Sequence, residues 1–250
     1  MPIYTPRMSL GPAQLHFIFE AAAYFIGFRW FLRERRRLNV DSLADGEARY
    51  MVIAGAVLGA AIGAKLAYWS YDPAYAFTGF PDWRHLLEGK SIIGALLGGL
   101  VGVETAKHMA GIRNSTGDAF VHPLAIGMMI GRAGCFLSGL NDHTYGNPTA
   151  LPWGVDFGDG IPRHPTQLYE VAFLLLWVFV VIDRLLPSRL QRPGDRFRVF
   201  LAGYLAYRLL IEFIRPAPFH LLGLGGLQWW CIAGLAYYVR DMVRILGKQR

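Results

Sequence analysis

Cysteine is scarce. Only Cys135 and Cys231 occur in 250 residues, each inside an apolar stretch, so no disulfide framework can be built. Charge is scarce too: Asp, Glu, Lys and Arg make up 17%, against about 25% in a soluble domain. No internal repeat stands out, and no G-x-x-x-x-G-K phosphate loop occurs. Asp142, His143 and His164 match no standard metal-ligand spacing. Disulfide scaffolds, P-loop nucleotide chemistry and a metal centre are therefore not expected. What abounds is apolar: 54% hydrophobic residues with 29 glycines in addition, and a mean hydropathy of +0.30. That balance excludes disorder and points to an all-α, polytopic integral membrane protein.

Apolar stretches near the ~20 residues needed to cross a bilayer lie at 13–32, 50–71, 91–111, 119–140, 167–186, 197–214 and 224–246. They predict about seven transmembrane helices in a single domain spanning 1–250. The first is too long, and too polar at Glu20, for a cleaved signal peptide. Most of the 25 Lys and Arg residues fall between helices one and two, three and four, five and six, and in the tail. The positive-inside rule then puts the C-terminus in the cytoplasm and the N-terminus outside. The net charge of +7 is thus topological, with attraction to anionic lipid added, and nucleic acid is not an expected partner. Two outer segments exceed what a connection needs. Segment 72–90 carries Tyr75, Phe77, Phe80 and Trp83, as an interfacial segment would. Segment 141–166 is polar, rich in Gly and Pro, and dense in functional groups.

A charge at mid-bilayer costs at least about 2.5–3.5 kcal/mol and so calls for a partner or a purpose. Arg29 snorkels to the inner headgroups, and Glu104, Lys107 and His108 form an inner structural cluster. The others converge. Glu20, Lys65, Arg132, Arg208, Glu212 and Arg215 all fall in outer halves of four helices, and Arg208, Glu212 and Arg215 share one helical face. With Arg163 of the adjoining loop, five cations meet two carboxylates. Such a surplus invites an anion, and arginine's planar fork suits phosphate. In a bilayer the abundant phosphate is a lipid headgroup. A plain salt bridge between Arg208 and Glu212 is the alternative at this point.

Gly131-Arg132-Ala133-Gly134-Cys135-Phe136-Leu137-Ser138-Gly139 resembles the G-R-I-G-N-F-I-N-G signature of the prolipoprotein diacylglyceryl transferase family. The likeness continues through Tyr145-Gly146-Asn147-Pro148-Thr149 and Leu151-Pro152-Trp153-Gly154-Val155. It is close at Pro162-Arg163-His164-Pro165-Thr166-Gln167-Leu168-Tyr169-Glu170, beside the family's P-R-H-P-S-Q-L-Y-E. Gly203-Tyr204, Arg208, Glu212-Phe213 and Arg215-Pro216 follow its G-Y-x-x-x-R-F-x-x-E-F-x-R. Upstream, Leu10-Gly11-Pro12, Tyr24-Phe25-Ile26-Gly27 and Gly63-Ala64-Lys65-Leu66 fit its first two helices.

The resemblance implies a seven-helix enzyme of the bacterial cytoplasmic (inner) membrane, with its site toward the outer leaflet. It would move the diacylglyceryl group of phosphatidylglycerol to the lipobox cysteine of a prolipoprotein, releasing glycerol 1-phosphate. No cofactor is expected, since the donor already carries a phosphate leaving group. Arg132 and Arg208 would be the essential arginines, Glu212 would orient Arg208, and Gly146 would let backbone approach the lipid. Arg163, His164, Gln167, Tyr169, Lys65, Glu20 and Arg215 complete the expected substrate-binding set. Departures are specific. Ile93 stands where the family has a histidine, Cys135 and Ser138 replace two asparagines, Phe17-Ile18 replaces an aromatic pair, Glu20 has no counterpart, and the loop at 140–144 is longer. Three readings follow: the usual reaction with a relocated base, His143 first and His164 second; transfer to a different acceptor; or a non-catalytic lipid-binding protein.

Overall fold

The computed structural model describes residues 3–4, 11–38, 46–78 and 89–247, and is predominantly helical. Strand β1 (Ile3–Tyr4) precedes α1 (Pro12–Arg37), α2 (Glu47–Tyr71), α3 (Pro73–Thr78) and α4 (Ile92–Met109). A 3₁₀ turn at Gly117–Phe120 leads into α5 (Val121–Ser138), and a second, Gly139–Asp142, leaves it. After β2 (Val155–Asp156) and β3 (Pro162–Arg163), α6 (Thr166–Leu174) runs on as a π-helix over Leu175–Leu185. Then come α7 (Asp195–Ile211), a 3₁₀ turn at Glu212–Ile214, the hairpin β4 (His220–Leu221) and β5 (Leu224–Gly225), and α8 (Gly226–Leu246). A helix thus stands at each of the seven expected positions. Among the described residues, three are long and apolar enough to cross a membrane: Gln14–Arg37, Ala48–Tyr71 and Gly117–Asp142. Phe17, Tyr24, Phe25, Val57, Leu58 and Ile62 all stand more than half exposed. Water would not tolerate such continuous apolar faces, and the chain is an integral membrane protein. Of the interfacial segment expected at 72–90, Phe80, Trp83 and Arg84 lie outside the described residues, as do Arg7 and Leu10.

Two compact units are present: 1–40, 116–216 and 245–250 form the first, and 41–115 with 217–244 the second. In the first, α1 starts with Pro12 at a position where its missing N–H costs nothing and ends on Arg35, Arg36 and Arg37, which suit the negative end of the helix dipole. Glycines let α1 and α5 approach closely. A Cβ on Gly134 would collide with Phe19, and one on Gly27 would lie 3.3 Å from the Pro123 carbonyl oxygen. At the far end of this pair, His122 lies 2.8 Å from Asp183 and 3.7 Å from Glu34, and Arg196 pairs with Asp183. The start of α7 is capped from a distant turn: both Asp118 carboxylate oxygens accept backbone N–H groups, from Gly194 at 2.7 Å and Phe197 at 3.0 Å.

In the second unit α2 and α4 run antiparallel in near backbone contact. Gly55, Gly59 and Gly63 face Gly102, Gly98 and Gly94, and a Cβ at any of them would strike the opposite carbonyl. This is small-residue packing of the kind used where lipid offers no hydrophobic drive between helices. Lys107, buried, reaches Glu104 at 2.9 Å, the structural pairing expected from sequence. Gly226 opens α8 against the Ser70 carbonyl, and Trp230 Nε1 donates to Ser70 Oγ at 2.9 Å.

The all-α expectation requires one amendment. Inside segment 141–166, β2 pairs antiparallel with β3, and it pairs parallel with β1. A polar loop rich in Gly and Pro cannot continue a helix, yet its amide groups need partners; short strand pairing supplies them.

Candidate functional site

The first unit gathers buried charge into one continuous row. Arg132 of α5 places Nε 2.9 Å from Glu170 Oε1 of α6. Glu170 also accepts from the Tyr204 hydroxyl at 2.8 Å and from Arg208 Nη1 at 3.3 Å. Arg208, 2% exposed, pairs through Nη2 with Glu212, whose Oε1 accepts from Arg215 Nη1 at 3.1 Å. The row therefore reads Arg132, Glu170, Arg208, Glu212, Arg215: three cations against two carboxylates. Helical spacing explains it, since Tyr204, Arg208 and Glu212 stand four apart and Arg215 one turn further on.

Beside this row lies a narrow crevice walled by Arg132, Thr144, Thr166, Gln167, Glu170 and Arg215, with Ile211 on its apolar side. Buried polar atoms of the crevice and the row lack partners among the described residues. Gln167 is 1% exposed, and both of its amide atoms lack a partner among the described residues, as do Arg208 Nε and Arg215 Nε. Buried polar atoms are ordinarily satisfied. Unspent donors next to a surplus of positive charge describe an anion site.

Segment 141–166 adjoins this site through Thr144 and Thr166. Gly146 N donates to the His164 carbonyl at 2.9 Å, Asn147 N to that of Ile214 at 2.8 Å, and His164 N to that of Asn147 at 3.1 Å. The glycine at 146 is required by its protein neighbours. A Cβ there would lie 2.6 Å from His164 Cβ, 2.8 Å from the Ile214 oxygen and 2.9 Å from Thr166 Cγ2.

Other expected site residues stand outside the crevice. Arg163 is turned to Asp159, with two 2.7 Å hydrogen bonds, and its guanidinium lies 5.0 Å over the Tyr145 ring. Those bonds hold the Asp159 carboxyl below the usual carboxylate range. His164 Nδ1 lies 3.3 Å from the Tyr169 hydroxyl, which accepts from Trp153 Nε1 at 2.8 Å. His143 is exposed, at φ 53°, its ring 6.5 Å from that of Tyr145. Glu20 accepts from the Tyr24 hydroxyl at 3.0 Å and lies 3.8 Å from His16 Nε2. Lys65 belongs to the second unit, where Nζ donates to the Gly89 carbonyl at 2.7 Å. Ile93 is fully buried in α4.

Sequence reasoning missed Glu170, Tyr204 and His16. Glu170 was within reach: Thr166, Gln167 and Glu170 fall three and four apart, on the face that lines the crevice. His16 carried no signal, because its partner Asp142 lies far away in sequence; their contact is 3.1 Å, between Nδ1 and Oδ1. A His16 ring nitrogen, Cys135 Sγ and an Asp142 oxygen lie within 4.8 Å of one another.

Residues 8–243 match the family model described as prolipoprotein diacylglyceryl transferase. The phosphatidylglycerol–prolipoprotein diacylglyceryl transferase of Bordetella parapertussis is 34% identical over 93% of this chain and 93% of its own. That of Nitratidesulfovibrio vulgaris is 34% identical over 86% and 82%. The enzyme of Cupriavidus metallidurans is 37% identical over 82% and 77%.

Proposed function

Since the chain belongs to the prolipoprotein diacylglyceryl transferase family, we propose that it transfers the diacylglyceryl group of phosphatidylglycerol to the lipobox cysteine of a prolipoprotein, releasing glycerol 1-phosphate. The observation that carries this reading is the row of Arg132, Glu170, Arg208, Glu212 and Arg215 beside a crevice with unspent donors.

In this reading residues 1–250 form one transferase domain with seven spans, the N-terminus outside and the site toward the outer leaflet of the bacterial inner membrane. The lipid enters sideways and its phosphate takes Glu170's place on Arg132 and Arg208. Glu212 and Arg215 keep Arg208 aimed. The acceptor sulfur attacks the glyceryl carbon, and negative charge grows on the departing phosphate. Fixed arginines stabilise that charge without reorganising, which is where such sites obtain most of their acceleration. The outer segment 141–166 closes over the headgroup, with Arg163, His164 and Tyr169 at the acceptor's approach.

The test uses purified protein in detergent, labelled phosphatidylglycerol and a lipobox peptide. Peptide-dependent release of glycerol phosphate, lost in Arg132→Ala and in Arg208→Ala, is expected. Absence of release, with saturable lipid binding kept, would move the reading to a different acceptor. One observation favours that second reading: the place of the family histidine is filled by Ile93, sealed in an apolar core. Neither release nor binding would refute both.

A further inference from the structure

His16 and Asp142 form a pair that the transferase reading leaves without a task. Asp142 is almost enclosed, with three side chains about it. His16 Nδ1 lies 3.1 Å from Oδ1, Thr144 Oγ1 donates to Oδ2, and Cys135 Sγ lies within 4.8 Å of the carboxylate. The His16 side chain is 38% exposed while Asp142's is 7% exposed, so the ring is reachable and its partner is not. A carboxylate at Nδ1 directs the ring proton there and leaves Nε2 as the lone-pair nitrogen. Nε2 faces Glu20 at 3.8 Å, too far for a hydrogen bond. Glu20 is itself held by the Tyr24 hydroxyl at 3.0 Å. The charged and titratable groups facing His16 are therefore Glu20 of its own helix, Asp142 of the following 3₁₀ turn and Cys135 of α5.

The pair also adjoins the anion crevice. Thr144, which holds Asp142, is one of the crevice walls, and its carbonyl accepts from Thr166 Oγ1 at 2.7 Å. Cys135 lies one turn along α5 from Arg132. A reachable imidazole, oriented by a buried carboxylate and set beside a phosphate grip, has the layout of an activated nucleophile site.

We propose that His16 is the proton acceptor for the attacking thiol, with Asp142 as the residue that positions it. This rests on the transferase reading of the same site. The acceptor S–H gives its proton to Nε2, and the sulfur electron pair forms the S–C bond to the glyceryl carbon. The C–O bond to phosphate breaks, its electrons leaving on glycerol 1-phosphate, and the imidazolium then releases its proton to water. His16 thereby supplies what Ile93 cannot, and exposed His143 is not needed.

The experiment compares the unaltered enzyme with His16→Gln and Asp142→Asn, measuring glycerol phosphate release from labelled phosphatidylglycerol and lipobox peptide across pH, together with lipid affinity. General-base loss predicts that His16→Gln lowers kcat about 10²–10⁴-fold with lipid affinity unchanged. The deficit narrows as rising pH ionises the peptide thiol unaided, and added imidazole partly restores His16→Ala. Asp142→Asn falls in kcat by less and keeps the same lipid affinity. Turnover by His16→Gln within threefold of the unaltered enzyme overturns this proposal and leaves the transferase reading standing. Equal loss of lipid affinity and turnover in both variants makes the pair structural and also overturns it. So does unaltered enzyme that a chelator silences and zinc revives, which would make the cluster a metal site. No release from unaltered enzyme brings down this proposal together with the lipobox-cysteine reading on which it rests.

Discussion

Replacing Glu170 with glutamine isolates the electrostatics of the buried row. The substitution keeps the side chain's shape and an acceptor for Tyr204, but removes the negative charge between Arg132 and Arg208. Three cations then face a single carboxylate, Glu212. The Arg132 and Glu170 side chains are only 14% and 5% exposed, so water compensates little. Breaking a buried ion pair by removing one partner costs about 3–5 kcal/mol. In a chain of this size each kcal/mol moves the unfolding midpoint by roughly 2–4 °C, so a fall in Tm of about 6–20 °C is expected. A bound anion supplies the missing charge. Phosphatidylglycerol at about 100 times its Kd contributes about 2.7 kcal/mol, and its effect on Tm is larger in Glu170→Gln than in the unaltered protein. Thermal unfolding in detergent, followed by tryptophan fluorescence with and without the lipid, measures both. A midpoint within about 2 °C of the unaltered protein, or equal lipid stabilisation of the two, would refute the claim that Glu170 holds the place of a phosphate.

Arg132→Ala and Arg208→Ala abolish glycerol phosphate release, while Arg29→Ala, at an exposed position of α1, retains it; equal activity in all three would remove the proposed site. Gly146→Ala forces a methyl among His164, Thr166 and the Ile214 carbonyl, an overpacking worth about 1–3 kcal/mol, and both stability and turnover drop. Gly98→Val drives a side chain into the Gly59 carbonyl, so expression of folded protein falls steeply, measured as the monodisperse fraction after detergent extraction. Asp159 has a lowered pKa because Arg163 hydrogen-bonds its charged form. Its contribution is thus complete above the ordinary aspartate range and is lost as pH falls through that lowered value. Hydrogen exchange at 156–163 therefore quickens at acid pH, and Asp159→Asn shows the faster exchange already at neutral pH.

The helix positions were legible because membrane insertion leaves its mark on composition: each apolar stretch from 13–32 to 224–246 holds a helix. Gly94, Gly98 and Gly102 of α4 could be read as close helix packing, since their spacing repeats with the helix turn; that the facing glycines are those of α2 came from the structure. Arg132, Arg208, Glu212 and Arg215 were legible because a charge in an apolar run is costly and conspicuous. Glu170 belonged to the same class, inside the apolar stretch 167–186, but its partners Arg132 and Arg208 stand on other helices.

By itself, then, the sequence determined the membrane class, the helices and which charges sit in apolar runs, because those follow from local composition and from periods of three and four residues. Tertiary structure alone decided how the charges are spent. It set Glu170 between two arginines from different helices, turned Arg163 away to Asp159, closed the backbone around Gly146, and brought His16 to Asp142. Contacts between residues tens of positions apart or more leave no periodic trace in the chain. They exist only where packing fixes the distance between helices, and a charge pair is decided over a few ångströms.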